Sequence, residues 1–362
     1  MPDTDHLEAI LLVGGKGTRL RPLTLGIPKP LLPTAGVPFL AHQLARARSF
    51  GVRRIVFAPS YRASMFVEAF GDGADFGLSL EYVTEETPLG TGGAIRNAAE
   101  ALTCGPDAPV LILNGDILSG HDIGAQVAMH LSRDAAVTLH LTEVEDPSRF
   151  GCVPTDESGR VTAFLEKTPN PVTNRINAGC YVFRRSVIDT IPKGKVVSVE
   201  RETFPGLIAD GHLVLGYVEK AYWLDVGTPA AFVQGSRDLV LGRLASPALP
   251  GPCGESLVLD GARVSPEAKV GGGTVVGARV VVEAGAQVIG SVLVDDCVVE
   301  AGATVVDSVI GPGARVERGV VLRDAVVGAG AVVGSGNELL AGARVWPGVE
   351  LPEGAVRFSS DV

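Results

Sequence analysis

The chain has 362 residues, enough for two domains, and 46% of them are hydrophobic, which allows a large core. Its net charge of −10 argues against nucleic acid as a partner, because no excess of cations is available to neutralise a phosphate backbone. No apolar run approaches the ~18 residues that span a membrane, so we expect no membrane partner. The five cysteines lack a C-x-x-C pair and predict free thiols in a reducing cytoplasm: Cys104, Cys152, Cys180, Cys253 and Cys297.

The first predicted element is a strand over residues 10–13 that runs into a loop of glycines and cations. We call residues 14–24, which read GGKGTRLRPLT, the glycine loop; Lys29 follows it between two prolines. Glycines allow several backbone N–H groups to converge on an anion, and the cations add positive charge. A Walker loop needs Lys-Ser/Thr after its last glycine, and a dinucleotide fingerprint needs a helix that Pro22 would break. The glycine loop therefore predicts binding of a nucleoside triphosphate.

Strand-like and helix-like runs alternate as far as about residue 241. The predicted strands are 10–13, 54–58, 78–83 and 109–113, and the predicted helices are 38–50, 63–70 and 91–102. This rhythm is typical of a mostly parallel sheet with helices on both faces. Ligands of such sheets bind beyond the carboxyl ends of the strands, where the glycine loop and Asn114-Gly115-Asp116 both fall.

The segment from Glu85 to Gly93 follows one predicted strand and opens a predicted helix. Its glycines, Gly90 among them, would let a base and a ribose lie against the backbone. Guanine presents two donors on one edge, so a carboxylate can accept both, whereas adenine would place a lone pair against it. Glu85 is the first candidate for this contact and Glu86 the second. The alternative is that both are solvated acids of a turn.

Residues 246–252 read as a linker of prolines and small residues, and a repeat follows it. Its aliphatic residues recur every five or six positions: Val282, Val288, Val294, Val299, Val305, Ile310, Val316, Leu322, Val327, Val333, Leu339, Val345 and Leu351. Period six with small residues at the turns indicates the hexapeptide repeats of a parallel β-helix, whose inward aliphatics stack in a column. A Val/Gly-rich β-sandwich is the alternative, which the regularity disfavours.

These motifs resemble the sugar-1-phosphate nucleotidyltransferase family. The Gly14-Gly15 opening, residues 197–205 and the closing residues 344–348 are most similar to its mannose-1-phosphate guanylyltransferase branch, in the actinobacterial form. The resemblance implies an α/β fold: a Rossmann-like, mixed, mostly parallel sheet over residues 1–242, a linker over 243–258 and a left-handed parallel β-helix over 259–362. It implies transfer of GMP from GTP to mannose 1-phosphate by Mg²⁺-assisted in-line attack on the α-phosphate, giving GDP-mannose and pyrophosphate.

The resemblance also implies roles for single residues. Metal ligands would be Asp116 and Asp225, which lie in two separate motifs. Catalytic residues would be Arg19, Lys29, Asp116 and Lys167. The nucleotide would be bound by Leu12, Gly14, Gly15, Gly17, Thr18, Arg19, Glu85, Gly90 and Gly115. Lys167 would bind the phosphate of the sugar, Gly151 would leave room for the sugar, and its hydroxyls would be held by Glu166, Asn177 and Glu200. One departure from the family is Thr168, which stands between Lys167 and the usual proline, Pro169.

Two alternatives to this function stand. One is the same chemistry on another pair, such as glucose 1-phosphate with UTP or dTTP, or a heptose or cyclitol phosphate with GTP. The other is a catalytically silent regulatory subunit that binds GDP-mannose. The presence of Arg19, Lys29, Asp116 and Asp225 favours an active enzyme. The flat faces and aliphatic edges of a β-helix predict a homo-oligomer.

Overall fold

The computed structural model describes residues 7–59, 62–168, 170–251 and 254–357. Pro169, Pro252 and Cys253, named above, lie outside them. The chain divides into two compact units: the first comprises Met1–Gly15 and Gln43–Trp223, and the second comprises Lys16–His42 and Leu224–Val362. The glycine loop is therefore shared between the two units in sequence. No helix in the described ranges is long and apolar enough to cross a membrane.

The first unit is built on a nine-stranded mixed sheet. In spatial order, its parallel core is Ser79–Tyr82, Arg54–Ala58, Glu8–Leu12 and Pro109–Asn114. Arg175–Arg184 joins this core antiparallel, and the remaining strands are Val137–Glu143, Gly151–Cys152, Leu165–Glu166 and Val214–Val218. The core strands are almost continuously apolar because both faces are covered. The predicted mixed α/β sheet is confirmed.

Three helices of the described sequence agree with the predicted positions to within a few residues: Phe39–Ser49, Ala63–Phe70 and Gly90–Ala98. Two further helices of eight residues or more were not predicted: Ile123–Ser132 and Pro229–Val240. Shorter ones are Arg185–Asp189, a π-helical turn at Val199–Thr203, and Phe204–Ala209. Asp122 caps its helix by accepting a hydrogen bond from the Ala125 N–H at 2.9 Å. Short strands Pro33–Thr34, Val37–Pro38, Ile117–Ser119 and Trp223–Asp225 complete the first 240 residues.

The second unit contains three sheets of six, six and five parallel strands, the arrangement expected for a left-handed β-helix. The three sheets begin with Ser256–Val258, Arg263–Val264 and Lys269–Gly271 and end with Arg344–Val345, Glu350–Leu351 and Glu338–Leu339. Between these lie Thr274–Val276, Val281–Val282, Gln287–Ile289, Val292–Leu293, Val298–Val299, Thr304–Val306, Val309–Ile310, Arg315–Val316, Val321–Arg323, Val326–Val327 and Val332–Val333. The predicted repeat architecture is confirmed.

One coil of the β-helix takes 17 or 18 residues, so one of its three sides is often a residue short of six. Hydroxyl side chains at one corner of the β-helix show this spacing. The Ser291 N–H donates to Thr274 Oγ1, 17 residues earlier, and the Ser308 N–H donates to Ser291 Oγ. The short side corrects one predicted core position. Leu293 is fully buried, whereas Val294 is only half-buried, because the step after Val288 is five residues.

The helix Pro229–Val240 packs against the first coils of the β-helix within the second unit. Arg237 Nη1 lies 2.9 Å from Asp307 Oδ1. The same side chain crosses Gly273, where an added Cβ atom would lie 2.8 Å from Arg237 Cγ. The helix is thereby fixed to a defined height along the β-helix.

Candidate active site

The glycine loop begins where the strand Glu8–Leu12 ends. Gly15 and Gly17 have φ angles of +98° and +57°, a region that side-chain-bearing residues rarely adopt. The carbonyl of Gly17 accepts hydrogen bonds from the Leu20 N–H at 3.0 Å and from Thr24 Oγ1 at 2.8 Å. Thr18 to Leu20 then form a single 3₁₀ turn. The loop has the tight backbone that the sequence predicted, and Gly14 and Gly15 are exposed.

Arg19, on that 3₁₀ turn, lies against Gly227 of the Asp225-containing motif. An added Cβ atom at Gly227 would lie 2.6 Å from Arg19 Nη2 and 3.0 Å from its Cζ. Any side chain at this position would therefore displace the guanidinium. Sequence reasoning missed Gly227, although its place two residues after Asp225 was a signal that could have marked it.

Lys29 is buried, with 9% of its surface exposed, in a 3₁₀ turn whose preceding residue is Pro28. Its Nζ lies 3.8 Å from Asp225 Oδ1. A buried ammonium group is stable only when it is paired, and this carboxylate supplies the opposite charge. The structure thus brings together two of the predicted site residues of the second unit.

In the first unit, Asp116 follows the strand Pro109–Asn114 and is half-buried. The Gly115 N–H donates to the Leu12 carbonyl at 2.8 Å, and an added Cβ atom at Gly115 would lie 2.7 Å from that same oxygen. Only glycine fits here, because the ends of two neighbouring strands meet at this point. Predicted nucleotide-binding residues Leu12 and Gly115 are therefore in contact.

Gln43 holds the turn that carries Asp116. Its Nε2 donates to the Asn114 carbonyl at 3.0 Å and to the Ile117 carbonyl at 2.7 Å, on either side of the aspartate. Gln43 is itself buried on the helix Phe39–Ser49. Nothing in its local sequence distinguishes it from an ordinary helix residue, so sequence reasoning did not find it.

The two candidate base-reading acids differ in their surroundings. Glu86 is exposed, whereas Glu85 is half-buried and its Oε2 accepts a hydrogen bond from the Leu89 N–H at 3.2 Å. Its other oxygen, Oε1, is buried and has no hydrogen-bond partner among the described residues. Burial raises the pKa of the Glu85 carboxyl, and the Leu89 hydrogen bond offsets that rise only in part.

The glycines after Glu85 have a structural reason of their own. Gly90 has a φ of +70°, and an added Cβ atom there would lie 2.6 Å from the Val197 carbonyl oxygen. That oxygen also accepts hydrogen bonds from the Gly92 and Gly93 N–H groups at 2.8 and 3.3 Å. The sequence analysis expected a base and a ribose to lie against the backbone of these glycines. In the structure, the chain around Val197 contacts that backbone.

Glu166 is opposite Gly151 in a short antiparallel strand pair, and Lys167 follows directly after that strand. An added Cβ atom at Gly151 would lie 2.8 Å from Glu166 Oε2. Lys167 has a φ of +47°, a strained value for a side-chain-bearing residue, and its exposed ammonium lies 3.5 Å from Glu166 Oε1. These three predicted sugar-site residues are in contact.

Asn177 and Glu200 are each held by other neighbours. Asn177 Nδ2 donates to the Tyr181 hydroxyl at 2.8 Å, across a bulge in the strand Arg175–Arg184. Glu200 Oε2 accepts from Thr91 Oγ1 at 2.7 Å and from Ser198 Oγ at 2.9 Å. Both predicted sugar ligands therefore have fixed side chains, which suits groups that must select one arrangement of hydroxyls.

Comparison with known protein families identifies the family of this chain. Residues 8–240 match the model described as nucleotidyl transferase. The chain belongs to the nucleotidyl transferase family. Residues 253–357 match a second model, described as the GMPPB C-terminal domain. The family predicted from the sequence is confirmed.

Relatives of this nucleotidyl transferase include proteins named for one activity. It is 57% identical over 360 residues to a mannose-1-phosphate guanylyltransferase of Mycobacterium tuberculosis, covering 99% of each chain. It is 34% identical over 293 residues to a probable mannose-1-phosphate guanylyltransferase of Oryza sativa, covering 80% of each chain. Among solved structures, HddC from Yersinia pseudotuberculosis matches with a TM-score of 0.55 and 28% identity, covering 64% of this chain and 99% of that one. A complex of HddC with GMP-PN gives a TM-score of 0.54 at the same identity and coverage.

Nucleotidyl transferases of this family generally use a divalent metal. Asp116 and Asp225 are half-buried carboxylates, the hard oxygen donors that Mg²⁺ prefers. In the described part of the chain, no three His, Cys, Asp or Glu side chains cluster as a complete metal site. A Mg²⁺ ion bound by such carboxylates would need further oxygen ligands from substrate phosphates or water, which is its usual coordination in nucleotide enzymes.

Proposed function

We propose that this nucleotidyl transferase transfers GMP from GTP to mannose 1-phosphate, releasing pyrophosphate and GDP-mannose. The observation that carries the proposal is the 57% identity, over 99% of each chain, to the Mycobacterium tuberculosis protein named for this activity. The retention of Arg19, Lys29, Asp116 and Asp225 supports an active enzyme over a silent subunit.

In the proposed reaction a phosphate oxygen of mannose 1-phosphate attacks the α-phosphorus of GTP. A new P–O bond forms there while the bond from the α-phosphorus to the bridging oxygen breaks, and pyrophosphate leaves with the electron pair. Both reactants are anions, so catalysis consists mainly of positioning and charge neutralisation. The backbone N–H groups of the glycine loop, Arg19 and Lys29 would stabilise the triphosphate charge.

Asp225 has two roles in this proposal. Its ion pair with Lys29, at 3.8 Å, holds the buried ammonium in position. With Asp116 it would also hold Mg²⁺, which when bound would offset part of the triphosphate charge. Lys167 would hold the phosphate of the sugar, and the contact of Gly151 with Glu166 would set the wall of the sugar site.

The test is a matrix of ATP, GTP, UTP and dTTP against mannose, glucose and heptose 1-phosphates, with pyrophosphate release as the measurement. We expect the highest kcat/KM for GTP with mannose 1-phosphate. A higher value for glucose 1-phosphate with UTP or dTTP would contradict the proposal. Turnover of no pair, with binding of GDP-mannose, would support the silent subunit.

We further propose that Glu85, and not Glu86, accepts the two donors of guanine. The buried and unpartnered Oε1 atom supports this choice, because a ligand that donates to it would satisfy a group the protein leaves unsatisfied. Glu85→Gln gives up one acceptor and gains a donor, which suits the carbonyls of uracil and thymine. We expect kcat/KM for UTP or dTTP to rise relative to GTP by roughly 10-fold, measured with both nucleotides in competition, since about 1.4 kcal/mol is one decade.

Glu86→Gln is the matched control, since it makes the same chemical change at the exposed neighbour. A shift of preference in that variant alone would transfer the role to Glu86. The pH profile gives a second measurement. Because burial raises the pKa of Glu85, this carboxylate protonates at a higher pH than an ordinary glutamate. The kcat/KM for GTP should therefore fall as the pH drops through that raised value, and Glu85→Gln should lose this acid limb.

We also propose that the protein is a homo-oligomer that works in the cytoplasm. Free thiols at Cys152, Cys180 and Cys297 suit a reducing compartment. The β-helix presents large exposed apolar side chains such as Val258 and Trp346, 50% and 46% exposed, which association would cover. Light scattering of the full-length chain should give at least twice the 37.4 kDa of one chain. A single-chain mass throughout a dilution series at micromolar concentration would contradict the oligomer.

A further inference from the structure

The tetrapeptide Gly-Ala-Arg-Val occurs four times in the β-helix, with its arginine at positions 263, 279, 315 and 344. In three copies the arginine is the exposed first residue of a two-residue strand, namely Arg263–Val264, Arg315–Val316 and Arg344–Val345. Their local sequence and local structure are therefore the same. What differs between them is the surface that each side chain reaches.

Arg315 forms an ion pair with Glu300 of the preceding coil, and Arg279 forms one with Asp296 of the following coil. Arg344 reaches the glycine loop instead. Its Nη1 donates to the carbonyl oxygen of Arg19 at 2.9 Å and to that of Arg21 at 2.6 Å. Arg344, Arg19 and Arg21 belong to the same compact unit, although 325 residues separate Arg344 from Arg19 in sequence.

The segment that Arg344 contacts is a single short turn. The 3₁₀ turn Thr18–Leu20 closes with two backbone hydrogen bonds, from the Leu20 and Arg21 N–H groups to Gly17 and Thr18. Carbonyls at the end of such a short turn need outside donors. Hydrogen bonds from a charged guanidinium are stronger than neutral ones, so Arg344 is a suitable donor.

Two contacts therefore fix Arg19 from different directions. Gly227 lies against its guanidinium, and Arg344 holds its carbonyl. We propose that Arg344 is a positioning residue for nucleotidyl transfer, which fixes the backbone that presents Arg19 to the triphosphate. This inference rests on the proposed function, and it gives the β-helix a direct part in the catalytic site.

Arg344→Met tests the inference, since methionine keeps an apolar stem but removes the donors. We expect kcat to fall by roughly 10-fold, because a displaced catalytic group costs one to two decades in rate. The KM for mannose 1-phosphate should not change. Arg263→Met is the matched control, because it removes the same side chain from the same tetrapeptide, and it should keep the wild-type kcat. Arg344→Lys, which restores charge and donors on a shorter stem, should recover part of the activity.

A double-variant cycle separates positioning from general stability. If Arg344 acts through Arg19, then Arg19→Ala with Arg344→Met should lose no more activity than Arg19→Ala alone. Losses that multiply, or a kcat for Arg344→Met equal to that of Arg263→Met, would overturn the inference. Thermal melting of each variant shows whether it is folded, and a melting temperature for Arg344→Met far below that of the control would count as a structural role.

The failure of the proposed function would look different. It would appear as poor turnover of GTP with mannose 1-phosphate by the wild type, and the cycle would then be run with the substrate pair that the wild type prefers. GTP affinity, measured by calorimetry, does not depend on turnover. It should weaken several-fold in Arg344→Met but not in Arg263→Met, and equal affinities would count against Arg344.

Discussion

Replacement of Lys29 by alanine is expected to lower kcat by ~10²–10³, the usual effect of removing one preorganised electrostatic group. Lys29 is 9% exposed and its ammonium is held 3.8 Å from Asp225, so its charge is fixed before the substrate binds. A solvated lysine would have to reorganise during the reaction, and this one does not. Pyrophosphate release under saturating substrates measures the effect.

Two further variants make the Lys29 result decisive. Lys29→Met keeps the side-chain volume, so an equal loss in Met and Ala variants attributes the effect to charge and not to packing. Lys269→Met removes an exposed lysine of the β-helix and should leave kcat unchanged. Circular dichroism and thermal melting check that each variant is folded. Near-normal turnover in a folded Lys29→Ala protein would remove Lys29 from the catalytic site.

Asp116→Asn and Asp225→Asn should each reduce activity by roughly 10²-fold at limiting Mg²⁺, because each removes one negative charge from the proposed metal site. High Mg²⁺ should restore part of the activity by mass action. Recovery should be larger for Asp116→Asn. Asp225 also pairs with Lys29, and added Mg²⁺ cannot replace that ion pair.

The control for the aspartates is Asp210→Asn, an exposed acid after the helix Phe204–Ala209, which should show wild-type Mg²⁺ dependence. Activity of either site variant equal to wild type at limiting Mg²⁺ would contradict the paired-ligand proposal. Equal recovery in both variants would show that the ion pair of Asp225 with Lys29 does not contribute to activity.

Features that depend on neighbours in sequence could be predicted from the sequence. The strand before the glycine loop, the helix Ala63–Phe70 and the repeats each follow from local patterns of apolar and small residues. The one misplaced core position, Val294, shows the limit of this reasoning. A period of six cannot reveal which side of a 17-residue coil is short.

Features that depend on distant contacts could not be predicted. The glycines after Glu85 suggest room for a nucleotide, but the chain around Val197 contacts them, and no local pattern indicates that segment. Gln43 and Arg344 support predicted site residues from remote positions in the sequence. For Arg344 the reason is plainest, since the same four letters occur elsewhere with different partners.

The number of coils in the β-helix fixes the distance between its first coils and Arg344. Parallel pairing lets a β-helix gain or lose a whole coil without any change to its aliphatic column. Each coil, however, would move everything beyond it by one strand spacing, ~4.8 Å, which is more than a hydrogen bond tolerates. The helix Pro229–Val240 is anchored at Gly273 and Asp307, and Arg344 must meet the turn at Arg19. The number of coils between these points therefore sets whether Arg344 can reach the glycine loop. Deletion of one complete coil would keep the aliphatic column intact but would place Arg344 one strand spacing away from the carbonyls of Arg19 and Arg21.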